Sequence, residues 1–419
     1  MYDELRDLYN SDIYPMHMPG HKRREGFGQI TEAVSTDITE IDGYDDLYEP
    51  DGIINDSLDM AAKLYGADHT LFLVNGSTVG ILSAVFAVTK QHGNLLMARN
   101  CHRSVYHAAS LRELETDYIY PKQTDGMYDA IDPGEVREKL EKNRYDAFVI
   151  TSPTYEGRIS DVEKIAGICH DHNTVLIVDS AHGAHFSFHE RFPKSMVGVA
   201  DIVIMSTHKT LPALTQTGLL HVKDSYYGSV HEYLQKFQTS SPSYLLMSSI
   251  DSCLRTIKDN GSRLWDDFFL CRDAFADRMK QLKFLRYIET DDPCKIVIST
   301  KYSDIYATEL AKRLLDDHHI QVEMACANYI VAIVTCNDTA AGFERFSDAL
   351  TDIDRSLHNS TKTGDAIGRY NGLLNSMAKD NIFIYPPGIP IAVKGEIIDE
   401  NMIQTLNEYD VAGLKIRGL

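Results

Sequence analysis

The chain has 419 residues, of which 43% are hydrophobic, and 41 basic against 61 acidic side chains give it a formal net charge of -20. This charge repels phosphate backbones and argues against a nucleic-acid partner, and no apolar stretch approaches the roughly 20 residues that a membrane span needs. A surplus of carboxylates would attract a cationic ligand, although it is more often a device for solubility. The length predicts a large domain with a smaller partner, because single cores stop growing at roughly 250–300 residues.

The seven cysteines are scattered, with no C-x-x-C pair and no metal-ligand spacing. They are therefore expected to be reduced thiols, buried in most cases. The N-terminus reads Met-Tyr-Asp-Glu-Leu-Arg and has no apolar run behind basic residues, so it does not resemble a secretory signal. These features predict a cytoplasmic protein.

In chain order, residues 1–55 are rich in Asp, Gly, Pro and Tyr and are expected to form an arm and loops. Residues 56–285 alternate short apolar runs with amphipathic stretches, which predicts an α/β fold with a mostly parallel, doubly wound sheet and a long helical stretch over 225–285. Residues 286–419 are expected to form a smaller C-terminal α+β domain. The predicted strands are Thr70–Val74, Asn94–Ala98, Ala147–Thr151, Val175–Asp179, Asp201–Met205, Leu219–Val222, Lys295–Ser299, Ile330–Val334 and Ile382–Tyr385, and the clearest helical periods are Val79–Lys90 and Asp161–His172.

The first chemical signal is the segment Asn-Gly-Ser-Thr-Val-Gly at 75–80, which follows a predicted strand and opens a helix. Backbone N–H groups at a helix N-terminus, the hydroxyls of Ser77 and Thr78, and the close approach that Gly76 permits would together bind a phosphate. A Ser/Thr-capped helix after a tight turn explains the same residues without a ligand.

The second signal is Asp179, which ends the buried run Val-Leu-Ile-Val-Asp. A carboxylate there is costly unless a positive group pairs with it, and the protonated nitrogen of a pyridinium ring is one such group. The alternative is an Asp that caps the next turn. His182 and His185 follow, but the residues around them supply no third ligand in register, so no metal site is predicted.

The third signal is Lys209, at the end of the strand-like run that continues as Ser206-Thr207-His208-Lys209. A lysine among polar groups at the end of a buried strand loses its proton readily and suits Schiff-base formation with an aldehyde, although most lysines are solvated surface groups. His102 follows another strand and would stack on a cofactor ring, or else be an ordinary loop histidine. All these groups belong at the carboxyl ends of strands, where ligands bind in such sheets.

Taken together, the motifs resemble the Orn/Lys/Arg decarboxylases of the pyridoxal-phosphate (PLP) dependent fold-type-I superfamily, in a short form without the N-terminal receiver-like wing. The resemblance implies the PLP-dependent transferase fold type I, with residues 56–285 as the PLP-binding domain. The motifs cover the chain almost end to end: MPGHKRR, DITEIDGYDDLYEPDG, NGSTVG, RNCHRSVYHA, TSPTYEG, VDSAHGAHF, STHKTLPALTQTG, QTSSPSYLLMSSID and YPPGIP.

The resemblance also implies roles for individual residues. Lys209 would bond covalently to PLP, Asp179 would pair with the pyridine nitrogen, His102 would stack on the ring, and His182 would lie near cofactor and substrate. Lys209, His182 and His102 are the predicted catalytic residues. The predicted phosphate site comprises Gly76, Ser77, Thr78, Ser206 and His208.

The resemblance further implies sites at the interface of a homodimer or higher homo-oligomer, with the Thr239–Ser241 stretch reaching the neighbouring subunit's cofactor. One departure concerns the C-terminal loop, where Val-Lys-Gly-Glu at 393–396 stands in place of an expected Pro-Gly-Glu segment. That departure leaves open how Glu396 and its loop act in substrate choice.

The implied reaction is loss of CO2 from arginine, lysine or ornithine, giving the polyamine precursor agmatine, cadaverine or putrescine. His182 and Lys209 are both candidates for the proton donor, and the acidic residues Asp42, Asp45, Asp46 and Glu49 are candidates to meet the substrate cation, unless that segment is a solvated loop. An aminotransferase or aldolase on the same scaffold is the alternative, with Arg369 or Arg417 available for a substrate carboxylate. A catalytically silent homologue is a further alternative.

Overall fold

The computed structural model describes residues 12–16, 22, 38–41, 43–360, 368–385 and 388–419. Of the motif MPGHKRR only Lys22 is described, and Asp42 and the two prolines of YPPGIP at 386 and 387 also lie outside these ranges. Predictions that fall on those residues are not addressed by the structure.

The first half of the chain alternates strands and helices. In chain order these are β1 (Tyr14–Met16), α1 (Ile53–Tyr65), β2 (His69–Leu73), α2 (Gly76–Val88), β3 (Asn94–Ala98), α3 (Arg103–Leu111), β4 (Glu115–Ile119), β5 (Gln123–Thr124), β6 (Met127–Tyr128), α4 (Pro133–Lys142), β7 (Ala147–Thr151), α5 (Val162–Asp171), β8 (Val175–Asp179), β9 (Ile202–Met205), α6 (Thr207–Thr210), β10 (Gly218–Val222) and α7 (Asp224–Phe237).

A long helix then leads into the C-terminal region. The elements are α8 (Tyr244–Met279), β11 (Arg286–Ile288), β12 (Lys295–Ser299), α9 (Ala307–His318), β13 (Ile320–Val322), β14 (Met324–Ala325), β15 (Tyr329–Ile333), α10 (Ala340–Arg355), β16 (Ile382–Ile384), β17 (Pro390–Ala392), α11 (Glu400–Val411) and β18 (Ile416–Arg417).

Within the described residues, seven strands form the main sheet in the order β2-β10-β9-β8-β7-β3-β4. All neighbours are parallel except β10, which runs antiparallel to both β2 and β9. The inner strands β7, β8 and β9 are apolar and almost fully buried, as expected for a sheet covered on both faces. The predicted α/β class is confirmed, and so are the predicted strands, to within a residue or two at their ends.

Sequence patterns missed β4, which forms one edge of the main sheet. Its sequence Glu-Thr-Asp-Tyr-Ile is mostly polar and only its last residue is fully buried. An edge strand has one neighbour and needs no continuous apolar run, so it lacks the signal that identified the inner strands.

The C-terminal region contains a four-stranded antiparallel sheet, β11-β12-β15-β14, and a separate three-stranded sheet, β17-β16-β18. Two described parts of the N-terminal arm lie against this region, because β1 pairs in parallel with β13 and the Lys22 amine lies 3.7 Å from the Asp338 carboxylate. Residues 44 and 45 instead accept hydrogen bonds from the Tyr244 hydroxyl at the start of α8. The predicted helical stretch over 225–285 is confirmed as two helices, α7 and the 36-residue α8. The domain boundaries at 55 and 285 stay predictions.

Among the residues that the structure describes, no helix combines the length and apolar character required to cross a bilayer. All seven cysteines are thiols without a disulfide bond, and six of them are buried. The buried thiols match the expectation from their scattered spacing.

Candidate active site

A cavity of about 420 Å³ opens at the carboxyl edge of the main sheet. Its walls come from the turns that follow β2, β3, β7, β8 and β9, and from segments of the C-terminal region. Every cofactor-binding residue predicted from the sequence lines it: Gly76, Ser77, Thr78, His102, Asp179, His182, Ser206, His208 and Lys209.

One end of the cavity has the features of an anion site. Gly76 begins α2 with φ of 72°, a left-handed conformation that favours glycine, and its N–H donates to the Gln216 carbonyl at 2.8 Å. The N-cap residue Asn75 makes no side-chain hydrogen bond to the first turn of α2, which leaves N–H groups after Gly76 available to a ligand. The hydroxyls of Ser77 and Ser206 lie 2.6 Å apart, which brings the turn after β2 and the turn after β9 to one point.

Asp179 and Lys209 are neighbours across the sheet edge. Asp179 ends β8 with 4% of its surface exposed, and Lys209 lies on α6, the single helical turn that follows β9. Burial raises the pKa of Asp179, although the Lys209 amine acts in the opposite direction. Burial lowers the pKa of Lys209, against the attraction of Asp179 and Glu323. Both shifts favour the neutral forms, which is the state in which an amine attacks a carbonyl.

His102 is the N-cap residue of α3, and its Nδ1 accepts a hydrogen bond from the Ser104 backbone N–H at 3.3 Å. Burial, followed by the nearby Lys209 amine, lowers the pKa of His102 to about 3. The ring is therefore neutral at physiological pH, which suits a flat group that stacks on another ring.

His182 lies between two lysine amines. Its Nε2 is 3.2 Å from Nζ of Lys209, and its Nδ1 is 2.6 Å from Nζ of Lys295 on β12. Burial lowers the pKa of His182 well below its usual value, and the two lysines act in the same direction. Sequence analysis missed Lys295. The run Lys-Ile-Val-Ile-Ser predicts a strand, but nothing in it shows whether the lysine at its start is buried or solvated.

Two further carboxylates line the cavity, Glu156 and Glu323. Glu156 is 2% exposed, its Oε1 accepts from the Tyr329 hydroxyl at 2.8 Å, and its Oε2 has no hydrogen-bond partner among the described residues. The Tyr155 hydroxyl donates to Glu323. Burial raises the pKa of Glu156, although the hydroxyls of Tyr329 and Thr154 and the Lys295 amine oppose that shift.

The described residues of the acidic segment 37–52 do not line the cavity. Asp45 accepts backbone N–H groups from residues 46, 51, 52, 54 and 55, and thereby holds the loop before α1 together. Asp46 accepts the N–H of Tyr48, and neither aspartate nor Glu49 lines the cavity. The described part of the segment is therefore a structured loop that does not line the cavity.

Glu396, whose role the sequence left open, binds Arg99. The Arg99 guanidinium donates to Glu396 Oε2 at 2.9 Å and to the carbonyls of Pro390 and Ile391, while the N–H of Val393 donates to the same Glu396 oxygen at 2.8 Å. In this chain the pair fastens the loop over 390–396 to the turn that follows β3.

The arginines considered for a substrate carboxylate do not line the cavity. Arg369 is 69% exposed and pairs with Asp410 at 3.2 Å, and the Arg417 guanidinium lies 5.9 Å from the centre of the Tyr385 ring. Among the described residues, Arg103 is the arginine that lines the cavity, and it was not singled out from the sequence. Thr239–Ser241 lies exposed between α7 and α8 and does not line the cavity of its own chain, so its role toward a neighbouring subunit stays a prediction.

His185 belongs to a different buried cluster. Its Nε2 is 2.9 Å from Asp292 Oδ1, and a ligand atom of Cys294 lies within 4.8 Å of both groups. The sequence argument against a metal considered only neighbours along the chain, whereas Asp292 and Cys294 reach His185 from the C-terminal region. The contact between His185 and Asp292 gives a hydrogen-bond partner to one atom of each side chain, as in an ordinary buried histidine–carboxylate pair.

Comparison with known proteins identifies the family of the chain. A family model described as Orn/Lys/Arg decarboxylase, major domain, matches residues 1–296. A protein of Bacillus subtilis (strain 168) named arginine decarboxylase is 28% identical over 464 residues, covering 100% of this chain and 95% of its own length. One of Halalkalibacterium halodurans with the same name is 29% identical, covering 96% of this chain and 91% of its own.

Solved structures show the same fold. The constitutive lysine decarboxylase of E. coli superposes with a TM-score of 0.73 at 18% identity, over 93% of this chain and 73% of that one. A structure of SPT with PLP superposes with a TM-score of 0.60 at 13% identity, over 72% of this chain and 76% of that one. Because the family model spans well over half of the sequence, the chain belongs to the Orn/Lys/Arg decarboxylase family.

Proposed function

We propose that the chain catalyses the PLP-dependent decarboxylation of a basic L-amino acid. The observation that carries the proposal is that one cavity contains the amine of Lys209, the buried carboxylate of Asp179 and the uncapped first turn of α2. These are the three groups needed to hold an aldehyde, a ring nitrogen and a phosphate of one cofactor.

The residues present fit PLP. The first turn of α2 with Ser77, Thr78 and Ser206 offers hydrogen-bond donors to a phosphate. Burial raises the pKa of the Asp179 carboxyl, and a protonated ring nitrogen beside it would stabilise the ionised form. When bound, PLP supplies an electron sink for the carbon that loses CO2.

The chain's own residues would then bind and orient the substrate. Glu156 and Glu323 offer negative charge to a cationic side chain, and the unpartnered Oε2 of Glu156 is the strongest candidate contact, because a buried acceptor without a donor is costly. His182 and Lys209 are the candidate groups to return a proton to the reacting carbon. We also propose a homodimer in which Thr239–Ser241 contacts the neighbouring site.

Arginine is the first substrate to test, because in sequence alignment the relatives named arginine decarboxylase cover nearly the whole chain, while those named lysine decarboxylase align with 57% of it. CO2 release would be measured with PLP and arginine, lysine or ornithine in turn. We expect release of CO2 and of the matching amine, with arginine fastest. Absence of CO2 from all three while PLP is bound would overturn the assignment. A keto acid as the product would point instead to an aminotransferase that uses Arg103.

Glu156→Gln tests the substrate contact. Loss of a hydrogen bond to a charged group removes about 1.5–3 kcal/mol, so KM for the preferred amino acid should rise by roughly 10–100-fold. Glu163→Gln, on the exposed face of α5, is the matched control, with a side chain 62% exposed. An unchanged KM for Glu156→Gln would exclude this residue from the substrate site.

A further inference from the structure

His182 has an unusual pair of neighbours, because both of its ring nitrogens face lysine amines. Lys295 Nζ lies 2.6 Å from Nδ1, and Lys209 Nζ lies 3.2 Å from Nε2. A neutral imidazole has one N–H donor and one acceptor, whereas an ammonium group is a donor only. At most one of the two amines can therefore be an ammonium hydrogen-bonded to a neutral His182.

The surroundings indicate which amine carries the charge. Lys295 is fully buried, and its ammonium is attracted by Asp292 and Glu323, and weakly by the Cys294 thiol. It also lies 5.8 Å from the centre of the Tyr155 ring, on the face that attracts cations. Burial and the nearby Lys209 lower the pKa of Lys295 to about 8, which leaves the amine mostly protonated at neutral pH.

Lys209 has the opposite role in this arrangement. Asp179 and Glu323 are the carboxylates that favour its ammonium form, while burial disfavours it. If Lys295 donates to Nδ1, the ring proton resides on Nε2 and points at Lys209. Lys209 must then accept that proton in a hydrogen bond, which only a neutral amine can do.

We propose that Lys295 is a positioning residue that fixes the Nε2–H tautomer of His182 and thereby keeps the Lys209 amine neutral, ready to bond to an aldehyde. The tautomer itself is a property of this chain without any ligand. Only the consequence for cofactor attachment rests on the proposed function.

The first test reads the tautomer directly in the cofactor-free full-length chain. The chain would be labelled with ¹⁵N-histidine, and the His182 signals would be assigned by their loss in His182→Gln. We expect an unprotonated Nδ1 and a protonated Nε2 at pH 7. A protonated Nδ1, or an imidazolium, would overturn the proposal, whatever the enzyme's activity.

The second test follows cofactor attachment as a function of pH, by the absorbance of bound PLP. In Lys295→Met the positive charge and the fixed tautomer are both lost, so the Lys209 ammonium becomes more stable. The pH midpoint of attachment should rise by about one unit, which makes attachment near neutral pH about tenfold slower. The matched control is Lys280→Met, whose side chain is 74% exposed, and it should not shift the midpoint.

An unshifted midpoint in a folded Lys295→Met chain would contradict the role of Lys295 in cofactor attachment. Failure of the wild-type chain to bind PLP at any pH would overturn the proposed function instead, and the ¹⁵N measurement would still decide the tautomer. The same measurement on the wild-type chain also decides it if Lys295→Met does not fold.

Discussion

The two walls of the cavity are built differently. The sheet-edge wall consists of short turns after parallel strands and carries Ser77, Asp179 and Lys209. The second wall carries Glu323, with Lys295 behind it, and comes from the C-terminal sheet, far along the chain. The first wall provides the groups that would hold a cofactor, whereas the second contributes the charged side chains of Glu323 and Lys295 near those groups. The groups proposed to hold a cofactor therefore lie on the first wall, whereas Lys295, proposed to position His182, lies on the second.

The largest effect is expected at the sheet-edge wall, from Lys209→Ala. Removing a covalent nucleophile should lower CO2 release by roughly 10⁴-fold or more and abolish the borohydride-reducible attachment of PLP, detected by mass spectrometry. Lys194→Ala, whose side chain is 85% exposed, is the control and should retain both. If borohydride fixed PLP to another lysine in Lys209→Ala, the assignment of cofactor attachment to Lys209 would be wrong.

Asp179→Asn should lower kcat by about 100-fold or more, since a charged hydrogen bond of about 3 kcal/mol is removed from the ring nitrogen.

The same change should stabilise the cofactor-free chain at pH 7. Because burial raises the pKa of Asp179 above its ordinary 3.8, the folded state binds more protons than the unfolded state between 3.8 and the raised value, and stability falls as the pH rises through that range. Thermal unfolding without PLP measures this gain, with Asp266→Asn as the exposed control, and a lower Tm for Asp179→Asn would contradict it.

At the second wall, Lys295 should make stability depend on alkaline pH. Its amine has a pKa of about 8 when folded and an ordinary value of 10.5, so between these pH values the unfolded state binds more protons. The contribution of Lys295 to the free energy of unfolding should therefore rise with pH, by up to about 3 kcal/mol across that window. Denaturant unfolding of wild type and Lys295→Met from pH 7 to 10.5 measures the difference, and a difference that does not change with pH would refute the assignment.

The smallest effect is expected at Glu396, which lies on neither wall and fastens the loop over 390–396 to the turn after β3. Glu396→Gln weakens the charged contact with Arg99 and should lower the local opening free energy of residues 390–396 by about 1.5–3 kcal/mol. Hydrogen exchange of the backbone N–H groups in this loop measures the change. Glu141→Gln, on the exposed face of α4, is the control, and equal exchange in both variants would show that the ion pair does not hold the loop.

The sheet-edge wall could be predicted because a parallel sheet brings the carboxyl ends of its strands together, so Asp179, His102 and Lys209 had to meet if their strands were adjacent. Lys295 and Glu323 could not be predicted in this way. Their approach depends on how a second sheet packs on the first, and no local period encodes that packing. Glu156 was within a recognised motif, yet only its buried, unpartnered oxygen distinguishes it from a solvated loop carboxylate.

Gly157 shows how tightly the two units are matched. It has φ of 97°, and a Cβ built on it would lie 2.8 Å from Cγ of Lys295. Because Gly157 has no side chain, the aliphatic part of Lys295, on the C-terminal sheet, can occupy the space beside it. Grafting the C-terminal part of a relative onto this chain would preserve the charge arrangement only if the donor supplied a lysine that fits beside this glycine. Gly157 thus limits which C-terminal parts of related proteins can replace the one in this chain.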